Sequence, residues 1–413
     1  MVAPLRRGLR AGPATPPDQP PPAPPPAAAG QEEIRRQNLG AVLRYVHVHG
    51  PTSRAELTSR LGLNRSTIGA LTADLAGAGL IDEGVPQETG RAGRPSLVVR
   101  PRSSRVYGYA MSIEVDRLRA ARVGLGGKVL DSRELPRPHG TAVHDTVATL
   151  AGFVRDMQHA VAAAGPADAV FVGSGIAVSR MMRHADGTVR MLPAGPPLSP
   201  DAGLGARLGL DREPVTGNVA DLAALAEHTR GAATGLDNVV YLHGDAGISA
   251  GIIAGGRRVT GHGGHGGEVG HMVVNPQGRD CGCGSRGCWE TEIARSVPLD
   301  RDAVLAVVEA AGSDPAARAA VRQAADWLGF GVANLVNVFN PTTVVFGGAL
   351  RELYLAGAAH VRGRLSTMAL PACREHVRLR TPLLGDDAPL VGAAELAFER
   401  LLRDPLETAD AAA

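Results

Sequence analysis

The hydrophobic pattern separates a segment without core-forming positions from a long segment with regular periodicity. Residues 11–30 are almost entirely proline, alanine and glycine, which predicts a disordered or polyproline-like tail over residues 1–30. From Ile34 onward apolar residues recur at helical spacing. The members of this stripe are Leu39, Val42, Leu43 and Val46. The pattern predicts a first helix that ends at Gly50.

Capping residues predict two further helices. Ser53 and Glu56 have the spacing of a capping box, and the helix that they begin should end at Gly62. Asn64 is placed to cap a third helix. Its inward-facing positions are Ile68, Leu71 and Leu75. This order predicts a helix-turn-helix, whose third helix reads the major groove of DNA from its N-terminal end. The residues placed to make that contact are Arg65, Ser66 and Thr67.

A glycine- and arginine-rich turn follows the third helix. A strand is predicted from Gly79, residues 89–95 fit the tip of a wing, and residues 97–99 form the returning strand. Arg91 and Arg94 in the tip are predicted to enter an A·T-rich minor groove, where the negative potential is strongest. The helices alone would also suit a protein-binding module. The added wing favours DNA binding by residues 31–105.

Charge supports that assignment. The whole chain of 413 residues has a formal net charge of only +2, but residues 31–105 carry 11 Arg against 7 acidic residues. A basic front on an acidic body indicates a nucleic-acid partner at the front. No run of 18 apolar residues or export signal is found, so we expect no membrane partner and a cytoplasmic protein.

Strands and helices alternate after Tyr107, which predicts α/β layers. Residues 123–129 read as a hairpin, residues 143–163 as a helix, and residues 170–178 as a buried strand because the run is continuously apolar.

Metal-ligand spacing marks a glycine-rich stretch of this α/β part. The residues with that spacing are His271, Cys281, Cys283 and Cys288. Imidazole and thiolates are the ligands that tetrahedral Zn²⁺ prefers, and four protein ligands leave no open position for a catalytic water. The sequence therefore predicts a structural Zn²⁺ site in a loop spanning residues 271–288. A disulfide loop or buried free thiols are the alternatives.

Other polar residues of the stretch have two interpretations each. Glu268 and Glu290 flank the predicted ligands, and carboxylates held in this way suit sugar hydroxyls; solvated surface acids are the alternative. His262 and His265 fit exposed loop histidines better than extra ligands, and Cys373 fits a small buried apolar residue.

The runs Gly267–His271, Cys281–Gly284 and Gly287–Glu290 together resemble the motif of the ROK family, which groups bacterial sugar kinases with sugar-responsive repressors. The resemblance implies zinc on His271 and the three cysteines. It also implies a sugar site, formed by Asn218, Glu268, His271 and Glu290.

The resemblance extends from about residue 107 to 404 and implies a two-lobed actin-like (ribonuclease H-like) fold. The fold class predicted for the whole chain is α/β, with an N-terminal winged helix-turn-helix before this ROK domain. The boundaries are a tail over 1–30, the DNA-binding domain over 31–105, the sugar-sensing domain over 106–404 and a flexible C-terminus over 405–413.

Positions that family kinases use for phosphoryl transfer differ in this chain. Residues 112–116 correspond to the family's first phosphate-binding turn but lack its glycines. Residues 244–249 correspond to the second turn and contain an added acid, Asp245. Val219 stands where the family has a catalytic Asp, and a valine side chain accepts no proton. Asp221, two residues on, is the one candidate replacement. Residues 179–180 and 191–196 also depart from the family's sugar-site pattern.

These observations predict a sugar-responsive, non-catalytic transcriptional repressor of carbohydrate-utilisation genes. It would act as a homo-oligomer, dimer or tetramer, on an inverted-repeat operator, with a small sugar as effector. The alternative is an ATP-dependent ROK sugar kinase with an appended DNA-binding head. A DNA-binding protein that has lost its ligand response is a third hypothesis.

Overall fold

A computed structural model describes residues 30–85, 96–138, 140–179, 181–183, 189–191 and 203–411. The predicted minor-groove residues Arg91 and Arg94 lie outside the described residues.

Helices and a small antiparallel sheet form the N-terminal part, called the head here. Its elements are α1 (Gln31–His49), β1 (Thr52–Ser53), α2 (Arg54–Leu61), α3 (Arg65–Gly77), β2 (Ile81–Gly84) and β3 (Val98–Pro101). The strand order is β1-β3-β2. Every apolar position that the sequence pattern assigned to the inner face of α1 and α3 is buried. The predicted helices and strands of the head are thereby confirmed.

Side-chain caps fix where the head helices begin. Ser53 accepts from the Glu56 amide at 3.1 Å, and Asn64 Oδ1 accepts from the Thr67 amide at 2.8 Å. Both bonds satisfy amide groups that the first turn of a helix leaves without partners. Gly62 ends α2 in the left-handed conformation, with φ 66°. The turn between α2 and α3 is therefore defined by local chemistry.

The first lobe of the body is a mixed sheet with helices on it. Its strands are β4 (Val106–Ile113), β5 (Arg117–Gly124), β6 (Lys128–Pro136), β7 (Val170–Val178) and β10 (Val215–Asn218), and β8 (Met181–Arg183) and β9 (Val189–Met191) form a hairpin. Its helices are α4 (Val143–Ala164), α5 (Leu204–Arg207) and α6 (Val219–Arg230). The strand order is β10-β7-β4-β5-β6.

The second lobe repeats this topology. Its strands are β11 (Val239–Gly244), β12 (Ile248–Ala254), β13 (Arg257–Arg258), β14 (Thr343–Gly348) and β15 (Arg378–Arg380). Its helices are α7 (Trp289–Ala294), α8 (Arg301–Ala310), α9 (Pro315–Phe339), α10 (Ala349–Met368) and α11 (Pro371–Arg374). The order β13-β12-β11-β14-β15 again places an antiparallel meander beside two parallel strands. The body is thus two lobes of one topology, as an actin-like fold requires.

Helix α12 (Ala388–Arg403) returns the chain from the second lobe to the first. It packs directly on β7, where a Cβ on Gly175 would come within 2.0 Å of the Ala393 carbonyl oxygen. Phe398, Leu401 and Leu402 of α12 belong to the same buried cluster as the apolar stripe of α1. The head and the first lobe therefore share one continuous core.

The C-terminal segment is a correction to the sequence analysis. Residues expected to be flexible from 405 onward form α13 (Pro405–Asp410), in which Thr408 and Ala409 are buried. The Ala411 carbonyl also accepts from Arg212 Nη2 at 2.7 Å. No helix in the described ranges is both long and apolar enough to span a membrane.

Candidate metal centre and effector cleft

A loop between β13 and α7 brings the predicted metal ligands together. His271 ends a short 3-10 helix, Cys281 and Cys283 lie in a tight turn, and Cys288 immediately precedes α7. The Trp289 amide donates to the Met272 carbonyl at 2.8 Å, which joins the two ends of the loop. The four ligand atoms lie within 4.8 Å of one another. This group could hold a metal ion.

Ionisation of two of these three thiols is opposed by their surroundings. Burial raises the pKa of Cys281, and burial together with hydrogen bonding to Cys283 raises the pKa of Cys288 to about 12. The Ser285 backbone lowers the pKa of Cys283. Clustered thiolates therefore need a cation beside them. A disulfide does not account for the pair Cys283 and Cys288, because their sulfurs are 3.7 Å apart, well beyond the ~2.05 Å of a bond.

The remaining histidines and the fourth cysteine lie apart from this group. His262 and His265 are exposed on the glycine-rich loop, and Cys373 packs at the edge of the second-lobe core.

Glu290 links the metal group to the cleft. Its Oε1 lies 3.7 Å from both His271 Nδ1 and Cys281 Sγ, while its Oε2 accepts from the Ile248 amide at 3.1 Å. Glu268 immediately precedes the short helix that His271 ends, and its side chain is exposed. The loop therefore presents two carboxylates close to the predicted ligands.

Asn218 approaches the same region from the first lobe. It ends β10 and caps α6, where its Oδ1 accepts from the Ala220 amide at 2.8 Å. A Cβ on Gly251 of β12 would come within 2.2 Å of the Ala220 carbonyl oxygen, and the neighbouring Ala250 amide donates to the Gly267 carbonyl at 2.8 Å. The Asn218 cap and the Glu268 loop thus contact adjacent residues of one strand.

Comparison with known proteins assigns this body to a family. Residues 109–400 match the model described as "ROK family", which is well over half of the chain.

The chain belongs to the ROK family.

Relatives that match nearly the whole ROK chain carry regulator names. A xylose repressor of Bacillus spizizenii is 24% identical over 382 residues, which covers 91% of this chain and 98% of that protein. The crystal structure of a ROK family transcriptional regulator, a homolog of the Escherichia coli Mlc protein, superposes with a TM-score of 0.72. It is 24% identical and covers 92% of this chain and 100% of its own. This likeness supports the head-plus-body fold.

A ROK hexokinase of Thermus thermophilus matches the body alone. Its structure is 28% identical with a TM-score of 0.56 and covers 71% of this chain and 99% of its own. A ROK kinase is thus comparable in extent to the body of this chain, so the functional distinction has to come from the head and from residues in the cleft.

Hydrogen bonds cross the cleft of this ROK body near residues 112–116 and 244–249. Asp245, in the turn after β11, accepts from Ser179 Oγ at 2.7 Å and from the Val115 amide at 3.4 Å. Glu114 is buried and accepts from Arg117 Nε at 3.0 Å. A cavity of about 20 Å³ remains beside these groups, room for about one water molecule. Four acids, two arginines and three glycines are among the residues that line this cavity.

The two positions considered for a catalytic base, Val219 and Asp221, lie in the first turn of α6. Val219 is 2% exposed in the core at the start of α6. Asp221 pairs with Arg258 at 2.8 Å, and burial raises the pKa of the Asp221 carboxyl. The Asp221 carboxylate is therefore held in an ion pair on α6.

The predicted DNA-contacting residues begin α3 in the head. Arg65 and Ser66 are exposed, and Thr67 is half-buried. The Ser66 hydroxyl donates to Asn64 Oδ1 at 2.7 Å, which orients it along the helix start. Sequence analysis missed one feature at the head: the contacts of Arg230, whose partners are far away in sequence and carry no local motif.

Proposed function

We propose that this protein is a sugar-responsive, DNA-binding transcriptional repressor of carbohydrate-utilisation genes, and that it is not an enzyme. The observation that carries the proposal is the combination of a head sharing its core with a ROK body and a buried Val219 at the catalytic position. The name of the xylose repressor relative, matched along nearly its whole length, points in the same direction. The head would span residues 31–105 and the sensing body residues 106–404.

DNA binding would use the N-terminal end of α3. The exposed Arg65 side chain and the positive end of the helix both attract phosphates, and Arg65, Ser66 and Thr67 can reach base edges in a major groove. Arg91 and Arg94 would enter the adjacent minor groove. A homodimer or tetramer on an inverted repeat would place such heads at equivalent half-sites.

Sugar binding would occur in the cleft beside the metal loop. Asn218, Glu268, His271 and Glu290 offer amide, carboxylate and imidazole groups, which suit the hydroxyls of a pentose or hexose. The cap on α6 uses the side-chain oxygen Oδ1 of Asn218, so a sugar hydroxyl would accept from the side-chain NH₂ of Asn218. A ligand preferring one arrangement of the lobes would shift the population of DNA-competent molecules.

The metal would be zinc, and its role structural. Ligand atoms of a tetrahedral Zn²⁺ with bonds of about 2.3 Å lie about 3.7 Å apart. The Cys283–Cys288 sulfur separation is 3.7 Å, and Cys281 Sγ lies 3.6 Å from His271 Nδ1. Three thiolates and one imidazole fill the coordination shell. The bound ion would hold the loop that carries Glu268 and Glu290.

A ROK sugar kinase with an appended head is the second candidate, favoured by the likeness to the hexokinase body. It lacks a proton acceptor at Val219, and Asp245 lies in its phosphate turn. Kinase chemistry depends on both features.

The experiment that tests the proposal is a mobility-shift assay with DNA from upstream of the gene and its neighbours. A specific shift, released by one sugar of a panel that includes D-xylose, D-glucose and N-acetyl-D-glucosamine, is expected. A protein that shifts none of this DNA would contradict the proposal.

A further inference from the structure

A buried polar cluster joins the head to the body. His47, near the C-terminal end of α1, is fully buried. Its Nδ1 accepts from the Gly126 amide at 2.9 Å, so the proton on Nε2 faces Glu395 Oε2 at 3.1 Å. Glu395 lies on α12 and is 8% exposed. A buried carboxylate and imidazole placed in this way fix the position of α1 on the body, because each loses its partner if α1 moves.

Arg230 completes this cluster from the end of α6. Its Nε donates to Glu395 Oε1 at 2.5 Å, and its Nη2 donates to the His47 carbonyl at 3.0 Å. Its Nη1 lies 3.3 Å from the Val48 carbonyl oxygen. The last carbonyls of a helix have no intrahelical donor and carry its negative end, so a guanidinium there is a favourable cap. Arg230 therefore holds the last turn of α1.

The other end of α6 is the Asn218 cap. Helix α6 has 12 residues, of which Arg230 is the last, so the cap and Arg230 are about 18 Å apart along the helix. Helix α6 also lies in backbone contact with α12, since a Cβ on Gly392 would come within 1.9 Å of the Leu222 carbonyl oxygen. Both helices thus carry charged members of the cluster and are packed too closely to slide independently.

We propose that α6 couples the effector site to the DNA-binding head, with Arg230 as the positioning residue that acts on α1. A ligand that engages Asn218 changes the first turn of α6. Because the helix is rigid, this change displaces Arg230 and alters its hydrogen bonds to the carbonyl oxygens of His47 and Val48. The angle of α1, and with it the approach of α3 to DNA, changes in consequence. This inference rests on the proposed function, in that Asn218 contacts the effector.

Arg105 provides a matched control. It also contacts the C-terminal end of a head helix, where its Nη1 donates to the carbonyl of Gly79, just after α3, at 2.9 Å. Its Nε pairs with Asp168 at 2.8 Å. It lies before β4 and belongs to neither α6 nor α12. Loss of Arg105 should loosen the head without interrupting the path from Asn218.

The first test needs neither sugar nor DNA. Amide hydrogen exchange of the full chain is measured in two segments. Residues 44–50 cover the C-terminal end of α1, and residues 74–80 cover the C-terminal end of α3 and the residues that follow it. Asn218→Ala should speed exchange at 44–50 by about fivefold, the population change that loss of one helix cap produces, and should leave 74–80 unchanged. In an Arg230→Ala background, Asn218→Ala should add no further change at 44–50.

Two results would overturn the inference. One is unchanged exchange at residues 44–50 in Asn218→Ala, and the other is an Asn218→Ala effect that persists undiminished without Arg230. Should Arg230→Ala not fold, Arg230→Gln supports the same comparison, because it removes the charge and retains a donor.

The second test uses operator DNA and the three-sugar panel. Wild type and Arg105→Ala should show the same fold-change in operator affinity on adding the active sugar, whereas Arg230→Ala should reduce that fold-change at least fivefold. An Arg230→Ala protein with the wild-type fold-change contradicts the coupling. If no sugar releases wild-type protein from DNA, the proposed effector function fails, and the exchange experiment still decides whether α6 couples the two sites.

Discussion

The Ser179 hydroxyl donates to the Asp245 carboxylate at 2.7 Å across the cleft between the lobes. Ser179 follows β7 of the first lobe, and Asp245 follows β11 of the second. Asp245 belongs to the run 244–249, which resembles a phosphate-binding turn of family kinases, and Ser179 belongs to the run 179–180, which departs from the family's sugar-site pattern. We expect this contact to oppose ATP binding, because a fixed carboxylate repels a triphosphate.

Restoring the base alone should not restore a kinase. Val219→Asp places a carboxyl at a position that is 2% exposed, which should lower the free energy of unfolding by about 3 kcal/mol or more. We expect no ATP-dependent sugar phosphorylation, since Asp245 still lies in the phosphate turn. A coupled ADP-release assay checks this, with Val219→Asn as the isosteric control. Turnover in Val219→Asp above that control would show that the cleft still admits ATP.

Zinc removal should destabilise the second lobe. Elemental analysis should find about one zinc per chain, and Cys288→Ser should abolish it because the remaining ligands leave the shell open. Thermal unfolding of the chelated protein should begin earlier than that of the metal-loaded protein. Cys373→Ser, outside the ligand group, should retain both the metal and the stability. A metal-free protein of unchanged stability would contradict the structural role.

Arg65→Ala should weaken operator binding by about 1 to 3 kcal/mol if the side chain contacts a base. Arg155→Ala is the control, because Arg155 is exposed on α4 of the body. Fluorescence anisotropy with operator DNA measures both variants at one salt concentration, since phosphate contacts make affinity salt-dependent. Equal affinities for wild type and Arg65→Ala would mean that α3 meets DNA differently.

Lowering the pH should weaken the contacts between the body and α1. Burial alone would raise the pKa of Glu395, but His47 and Arg230, the charged and titratable groups that face it, lower the pKa to about 2. Because the pKa of the Glu395 carboxyl is lower in the folded chain than in the unfolded chain, its ionised form stabilises the fold at neutral pH. This contribution is lost as the pH falls from about 5 toward 2.

The loss attributable to Glu395 should be about 3 kcal/mol at most. Urea unfolding between about pH 6 and pH 3 should therefore show a flatter profile for Glu395→Gln than for wild type. Glu399→Gln, on the same helix and 41% exposed at the side chain, should keep the wild-type profile. Parallel profiles for wild type and Glu395→Gln would contradict this assignment.

Much of the fold follows from local sequence. The predicted strand over residues 170–178 is observed with those bounds, and the helix predicted over 143–163 is observed as Val143–Ala164. The strand is a continuously apolar run, and the helix is a long segment. The capping roles of Ser53 and Asn64 could be predicted, because a capping side chain and the amide group from which it accepts a hydrogen bond are three residues apart. The metal group was found because its ligands lie within one loop.

The contacts that organise the cleft and the head are distant in sequence. Glu395 lies 165 residues from Arg230 and 348 residues from His47. A single Arg or Glu on a helix has no pattern that distinguishes a buried partner from a solvated side chain. The packed C-terminal helix was missed for the same reason, since α13 also contacts α1 and β7, which are distant in sequence.

The most direct measurement follows operator binding and ATP consumption in the same preparation, with the same sugar added. The account predicts that one sugar releases the protein from its operator and that no ADP forms above a no-enzyme control. Sugar-dependent ADP formation, with DNA binding indifferent to the sugar, would contradict it.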